Sequence, residues 1–482
     1  MMTRPITVIR NVAYIVEFDR EKDKHVYRRG GDVAFDDEGI VHVGETYTGD
    51  FLTEIDGSRH MVMPGLISIH GHSSTAAKSK GCWEELGSPR IYMSTLFEYQ
   101  GLMGGRPDDN RVLCRYSAAE LLRSGCTTVV DIHADYEGWA ETLLGTGIRA
   151  YLAPMFASAR YACSNGYSME YNWDVAAGEK GLEKAIGLIE DFGRDTSGRL
   201  AGIMSPAQVD TCTPELLAMS AQESDRLGVP RTIHASQSVH EFREIVNRHG
   251  LSSMEFLDSV GFLASRTIIG HGIFLDDHPW IHQYPEKRDR KLLAERECTV
   301  AHCPSVISRR GITLHTIQSY RDAGINMGIG IDAFPHNMID EMRWGLVAAK
   351  FAGGSQHATH ISTMFYMATR GGAKALGRDD LGIIEVGAQA DIVMVDLDHP
   401  DMQPVYDPLY SLVFSALERP ISDVFVAGRR VVDDFTVTTV DFEAEASKLN
   451  AIQQRALESV PRNHWAGLPA HAVFPLSLTV AD

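Results

Sequence analysis

Pro64-Gly65-Leu66-Ile67-Ser68-Ile69-His70-Gly71-His72 carries an apolar run into two histidines separated by one glycine. On an extended strand, residues i and i+2 face the same way, so both imidazoles point to one place. Histidine is the commonest metal ligand, and Gly71 leaves the backbone free to bend beside an ion. Taken alone the pair is a weak signal, because two polar residues at a strand end explain it as well. Its meaning depends on the rest of the chain.

Seven more apolar runs succeed it, at 125–133, 148–157, 200–209, 229–235, 266–274, 298–303 and 325–333, and with 65–72 they make eight strand candidates. Amphipathic segments at 109–124, 178–193, 214–228, 238–249, 287–297, 313–324, 338–352 and 361–376 fall between or after them, the pattern of βα units and a parallel sheet. Eight such strands predict an α/β fold closed into a (βα)8 TIM-type barrel. A doubly wound open sheet fits less well, since no Gly-x-Gly-x-x-Gly turn follows the first strand. Residues 6–60 read as a small antiparallel unit, and strand texture returns at 390–397 and 424–432. The two chain ends are expected to pair into one flanking β-sandwich. The expected divisions are 1–61 for the N-terminal part of the sandwich, 62–380 for a metal-dependent hydrolase barrel, 381–440 for the C-terminal part of the sandwich, and 441–482 for a helix and tail lying on the barrel or a neighbouring subunit.

The 482 residues, 44% of them hydrophobic, are ample for a barrel-sized core plus a smaller unit. A net charge of −19, from 64 acidic against 45 basic residues, argues against a nucleic acid or an anionic membrane as partner. Seven scattered cysteines without a Cys-x-x-Cys pair indicate neither a disulfide framework nor a zinc knuckle. There is no apolar leader, and no uncharged run approaches the roughly 20 residues that span a bilayer. A cytoplasmic protein with a small-molecule substrate is expected.

In a barrel of this kind functional groups gather at the C-terminal ends of the strands. Here His70, His72, His133, His234, His271, His302 and Asp332 all end apolar runs. Three histidines and a carboxylate with one open position make a catalytic rather than a structural metal site. Such an ion lowers the pKa of its water to about 7, giving hydroxide near neutrality.

Several ordered motifs accompany these residues: Met63-Pro64-Gly65-Leu66-Ile67 before the histidine pair; Ala301-His302-Cys303-Pro304-Ser305 with Arg310-Gly311; Gly328-Ile329-Gly330-Ile331-Asp332 followed by Asn337, Asp340, Glu341, Met342 and Arg343; and 381–393, from Leu381-Gly382-Ile383 to Ala390-Asp391-Ile392-Val393. By them the chain resembles the amidohydrolase superfamily, in its branch of triazine hydrolases and nucleobase-type deaminases, over nearly its whole length. The resemblance implies that His70, His72, His234 and Asp332 are metal ligands, that His271 orients the water or the substrate, and that His302 lies on the rim. No lysine ends the fourth strand, where Met204-Ser205-Pro206-Ala207-Gln208 stands, so a mononuclear site is implied. Its ion is one divalent metal, Zn2+ first, with Fe2+, Co2+ or Mn2+ as alternatives. Relatives of this fold imply a homo-oligomer.

The chain departs from the deaminase pattern at Gln237, where the resemblance implies a proton-shuttling glutamate. Glutamine cannot exchange a proton at neutral pH. Either His271 with Asp332 carries the protons, or His240 or Glu241 swings in from the next helix; the first is preferred, since a helix position one turn further on is expected to face solvent. The catalytic residues are then His271, Asp332 and Gln237. Without the glutamate, attack on an amide, urea or carbamate carbonyl is favoured, as in the phenylurea and molinate hydrolases that degrade xenobiotics. A deaminase or dehalogenase acting on a nitrogen heterocycle such as a triazine or nucleobase is the alternative. Lys78 and Lys80 are expected to be exposed loop lysines. The aromatic residues Trp83, Phe97, Tyr99, Tyr161, Tyr167, Tyr171 and Trp173 are candidate pocket walls.

Overall fold

The computed structural model describes residues 5–92, 94–282 and 284–480. All eight expected strands are present: β1 (Leu66–Ser68), β2 (Cys126–His133), β3 (Arg149–Phe156), β4 (Leu200–Gly202, resumed at Ser205–Pro206), β5 (Arg231–Ala235), β6 (Thr267–His271), β7 (Thr299–His302) and β8 (Asn326–Ile329). Neighbours pair in parallel from β1 to β4 and from β5 to β8. Single bridges close the remaining seams: Met204 with Arg231 and Gln208 with His234 between β4 and β5, and Gly71 with Asp332 between β8 and β1. The result is a closed (βα)8 barrel. Ile67, Ile69, Val130, Ile132, Ile203 and Ile268 pack in its core.

Helices lie where the period placed them. The helix Asp109–Arg123 buries Leu113, Ala118, Leu121 and Leu122, the same stripe the sequence shows. Val175–Phe192, Pro214–Leu227, Val239–His249 and Met338–Ala352 match as well. The short helices Ser253–Ser259 and Pro304–Ser308 lie outside the expected pattern, as do two further elements. One is the helix Trp139–Thr146, and the other is an antiparallel hairpin of Ala159–Asn165 and Ser168–Trp173 after β3. The hairpin has a visible cue in Asn165-Gly166, a favoured turn dipeptide, but its strands are too polar to stand out as apolar runs.

The two chain ends meet in a seven-stranded sheet, where Ile392–Asp396 pairs antiparallel with His60–Pro64. A second sheet of four strands, all from residues 7–56, faces it across a core containing Ile9, Val33, Phe35, Ile392, Met394 and Phe425. The small N-terminal unit is not purely antiparallel. Thr7–Arg10 runs parallel to Thr53–Asp56, and Tyr14–Asp19 parallel to His60–Pro64, because the long excursions between these strands let the chain return in the same direction. The sandwich is joined to the barrel by a buried bidentate pair, in which Arg149 Nε and a terminal nitrogen donate to Asp391 at 3.0 and 2.9 Å. Among the described residues no helix is long and apolar enough to cross a membrane.

Candidate metal centre

Beyond β1 the backbone keeps a strand-like partnership with the end of β8. The Asp332 N–H donates to His70 O at 3.0 Å, and the His72 N–H donates to Asp332 O at 2.8 Å. The histidine pair therefore sits just past the strand rather than within it, on the barrel's C-terminal rim. His70 is fully buried, and two glycines make room for it: a Cβ on Gly270 or on Gly330 would stand 2.7 Å from a His70 side-chain atom. Three non-glycine residues beside the centre have left-handed backbones, Ser236 at φ 53°, His271 at 78° and Asp332 at 52°. Such strain is stored where surrounding structure over-determines a functional geometry.

The donor atoms converge. His72 Nδ1 lies 2.9 Å from the Ile132 carbonyl and His234 Nδ1 lies 2.7 Å from the Ala207 carbonyl. A carbonyl only accepts, so both Nδ1 atoms carry a proton, and in the neutral rings both Nε2 atoms are lone pairs. Those two Nε2 atoms are 3.2 Å apart. Asp332 Oδ1 lies 3.4 Å from His72 Nε2 and 3.7 Å from His70 Nε2, and neither ring nitrogen of His70 has a hydrogen-bond partner. Tetrahedral zinc with its usual bond lengths holds neighbouring donors roughly 3.3 Å apart. The set fits a divalent ion, which would bring these electron-rich atoms together without a proton between them. His271 borders it, since donor atoms of His70, His234 and His271 also lie within 4.8 Å of one another.

Electrostatics agree. Burial holds His70 below the ordinary imidazole range and, with the neighbouring histidines, holds His234 far below it. Burial likewise pushes His271 down to about 3. These rings are neutral and free to coordinate. Burial alone would raise Asp332, but His70, His271 and His72 outweigh it and hold the carboxyl far below its usual range, so it is ionised.

Other residues fall elsewhere. His302 is 1% exposed with an unpartnered Nδ1, and burial pushes it down to about 4; it lies in neither donor group. His133 is half-buried with Nδ1 against the Ala134 carbonyl and is also outside both groups. Cys303 is buried, and burial drives its thiol well above the ordinary range, away from a nucleophile's.

Two expectations are overturned. Glu241 does not face solvent: it is 2% exposed. Its Oε1 accepts from the Ser236 N–H at 2.7 Å and from the Ser253 hydroxyl at 3.0 Å, and its Oε2 accepts from the Gln237 N–H at 2.9 Å. Both oxygens are committed to the loop that carries Gln237, so Glu241 holds that loop instead of swinging inward. The cue lay in the Ser238-x-x-Glu241 spacing of a helix start. Lys78 and Lys80 are half-buried rather than exposed. Lys80 donates to the Tyr116 hydroxyl at 2.9 Å and to Glu120, and Glu120 also receives His336 Nδ1 at 3.2 Å. This network ties the loop after β1 to the loop after β8.

The hairpin after β3 carries a cluster of aromatic residues. Tyr161 and Tyr171 donate to the buried Asp210 at 2.8 and 2.7 Å, and the Arg248 guanidinium lies 4.1 Å over Tyr171 and 4.9 Å over Trp173.

Known proteins resemble the chain over most of its length. A 5-methylthioadenosine/S-adenosylhomocysteine deaminase of Natronomonas pharaonis is 29% identical over 440 residues, covering 90% of this chain and 95% of that protein. Among solved structures, a triazine hydrolase from Arthrobacter aurescens superposes with a TM-score of 0.79 at 24% identity, covering 93% of this chain and 99% of that one. A zinc-bound adenosine deaminase from Xanthomonas campestris superposes with a TM-score of 0.77 at 22% identity, covering 93% and 98%. The family profile for the amidohydrolases matches residues 61–431. The chain belongs to the amidohydrolase family and is a metal-dependent hydrolase of that family.

Proposed function

We propose that the protein is an aminohydrolase that replaces an exocyclic amine of a nitrogen heterocycle, of the purine type, with oxygen. The sequence alone ranks amide, urea or carbamate cleavage first and heterocycle deamination second. The deaminase named among the relatives, matched over nearly the whole chain, favours the reverse order. The observation that carries the reading is the pair of facing lone pairs on His72 and His234 beside an ionised Asp332.

His70, His72, His234 and Asp332 would hold one divalent ion, with Zn2+ the best fit to a nitrogen-rich tetrahedral set. Such an ion would supply Lewis acidity and would make a water acidic enough to attack near neutral pH. Asp332 keeps Oδ2 in reserve and can take a proton from the attacking water. His271, neutral and with both nitrogens unpartnered, can orient that water or the substrate by hydrogen bonding. Gln237 cannot carry a proton, so its carboxamide binds the ring, and proton delivery to the leaving amine rests on Asp332 with His271.

Metal-replete protein assayed on 5′-methylthioadenosine, S-adenosylhomocysteine, aminotriazines, phenylureas, anilides and thiocarbamates tests the reading. Ammonia from the purines supports it. Release of a substituted amine from the ureas or anilides, with no ammonia from any ring, overturns it.

A further inference from the structure

A chain of contacts starts and ends at the His234 loop. Gln208, bridged to His234, accepts from the Tyr161 hydroxyl. Phe97 stands edge-on to Tyr161, with ring centroids 4.9 Å apart, and also to His240, at 5.2 Å. His240 lies on the first turn of the helix Val239–His249, three residues past Gln237. Gln237 Oε1 and His240 Nε2 are both buried and have no hydrogen-bond partner. A buried polar atom left unpaired costs on the order of 1–3 kcal/mol, so native structures seldom keep one without a use. Here two lie three residues apart, Gln237 three residues past His234 and His240 beside the Phe97 ring. Glu241 fixes the backbone leading into Gln237 by accepting the Ser236 and Gln237 N–H groups, so the Gln237 orphan does not result from a loose loop.

We propose that His240 determines specificity: its Nε2, together with the Gln237 carboxamide, hydrogen-bonds the in-plane nitrogen edge of a flat heteroaromatic substrate held against Phe97. Each chemical feature has a role. Phe97 offers apolar contact to a planar ring. The Gln237 amide supplies a donor and an acceptor, and the neutral imidazole supplies one or the other according to its tautomer. Burial keeps His240 below the ordinary imidazole range, which suits reading a neutral ring rather than an anion. The inference rests on the heterocycle reading above and narrows it to rings with a nitrogen or N–H on that edge.

The test measures ammonia release by metal-replete wild type, His240→Phe and His240→Gln. The substrates are 5′-methylthioadenosine and analogues each lacking one ring nitrogen. A site built to hydrogen-bond a ring atom rejects the analogue without it by at least about 10-fold. The expected result is that wild type discriminates against one deaza analogue by at least that factor in kcat/KM. His240→Phe should lose about 10-fold on the parent purine, mostly in KM, with no further loss on that analogue, and His240→Gln should recover part of the difference. Ammonia release with unchanged discrimination in His240→Phe overturns the role of His240 alone, as does an equal loss on every substrate. No ammonia from any ring with the wild type overturns the reaction reading, and this inference with it.

Discussion

His72 and His234 face each other with Nε2 atoms 3.2 Å apart and rings only 7° from parallel, each with its other nitrogen turned toward a backbone carbonyl. Two lone pairs held at that distance repel unless a cation lies between them. His234→Ala is therefore expected to lower bound metal from about one ion per chain to less than a tenth, and activity by at least about 1,000-fold, with metal content read by elemental analysis. Chelation of the wild type should lower the Tm, since an ion that binds only the folded state at 1,000 times its Kd contributes about 4 kcal/mol. Full activity in His234→Ala, or active protein with no metal, would sink the assignment.

In the proposed deamination Gln237 would stand where a proton donor helps the leaving amine depart. Gln237→Glu is expected to raise kcat for an aminated ring by about 10-fold and to give the pH–rate profile an alkaline limb that wild type lacks, the rate falling as the new carboxyl ionises. If the variant is slower at every pH, the carboxamide is needed as it stands and proton delivery does not limit the rate.

Glu120 gathers Lys80, Tyr116 and His336 between two rim loops. Burial would raise its pKa, but His336 and Lys80 more than offset that and bring it down to about 2. A depressed carboxyl contributes stability that is present above its unfolded value near 4.5 and is lost as pH falls through about 2. Glu120→Ala, which leaves a partly buried lysine unpaired, is expected to cost about 3 kcal/mol in urea unfolding near pH 7. That cost should shrink at acid pH, and a loss that is the same at pH 3 and pH 7 refutes the ionic account.

Eight apolar runs, six of them with a histidine or aspartate at or near the end, were enough to read the barrel and its rim, because strand period and strand-end placement are local properties of sequence. The helix stripe at 109–124 was legible for the same reason. What escaped depends on partners that the apolar period does not reveal. The parallel return of Thr53–Asp56 beside Thr7–Arg10 leaves no trace in either segment. Glu241 is buried because Ser236, Gln237 and Ser253 supply donors, and Lys80 is drawn in by Glu120, 40 residues away. A charged residue reads as solvent-facing until the group that neutralises it is known. The glycines beside His70 were visible as Gly270-His271 and Gly330-Ile331-Asp332, but their purpose, space for an imidazole, emerges only once the strands are set side by side.

Glu341 reports on the segment just after β7. It is 1% exposed, and its carboxyl accepts the Ser305 N–H at 3.0 Å and the Ser305 hydroxyl. Burial outweighs these donors and pushes the group from an ordinary 4.5 up to about 8. With its pKa raised, the folded state binds the proton more tightly than the unfolded chain does. Its contribution to stability is therefore complete below about 4.5 and is lost as pH climbs through about 8, with a slope of up to about 1.4 kcal/mol per pH unit. Glu341→Gln keeps a carbonyl oxygen for Ser305 but cannot ionise. Calorimetric Tm values from pH 5 to pH 9 should fall more steeply for wild type than for Glu341→Gln, and the variant should be the more stable of the two at the alkaline end. Parallel curves would show that this carboxyl is already ionised at neutral pH, with Ser305 compensating its charge in the interior.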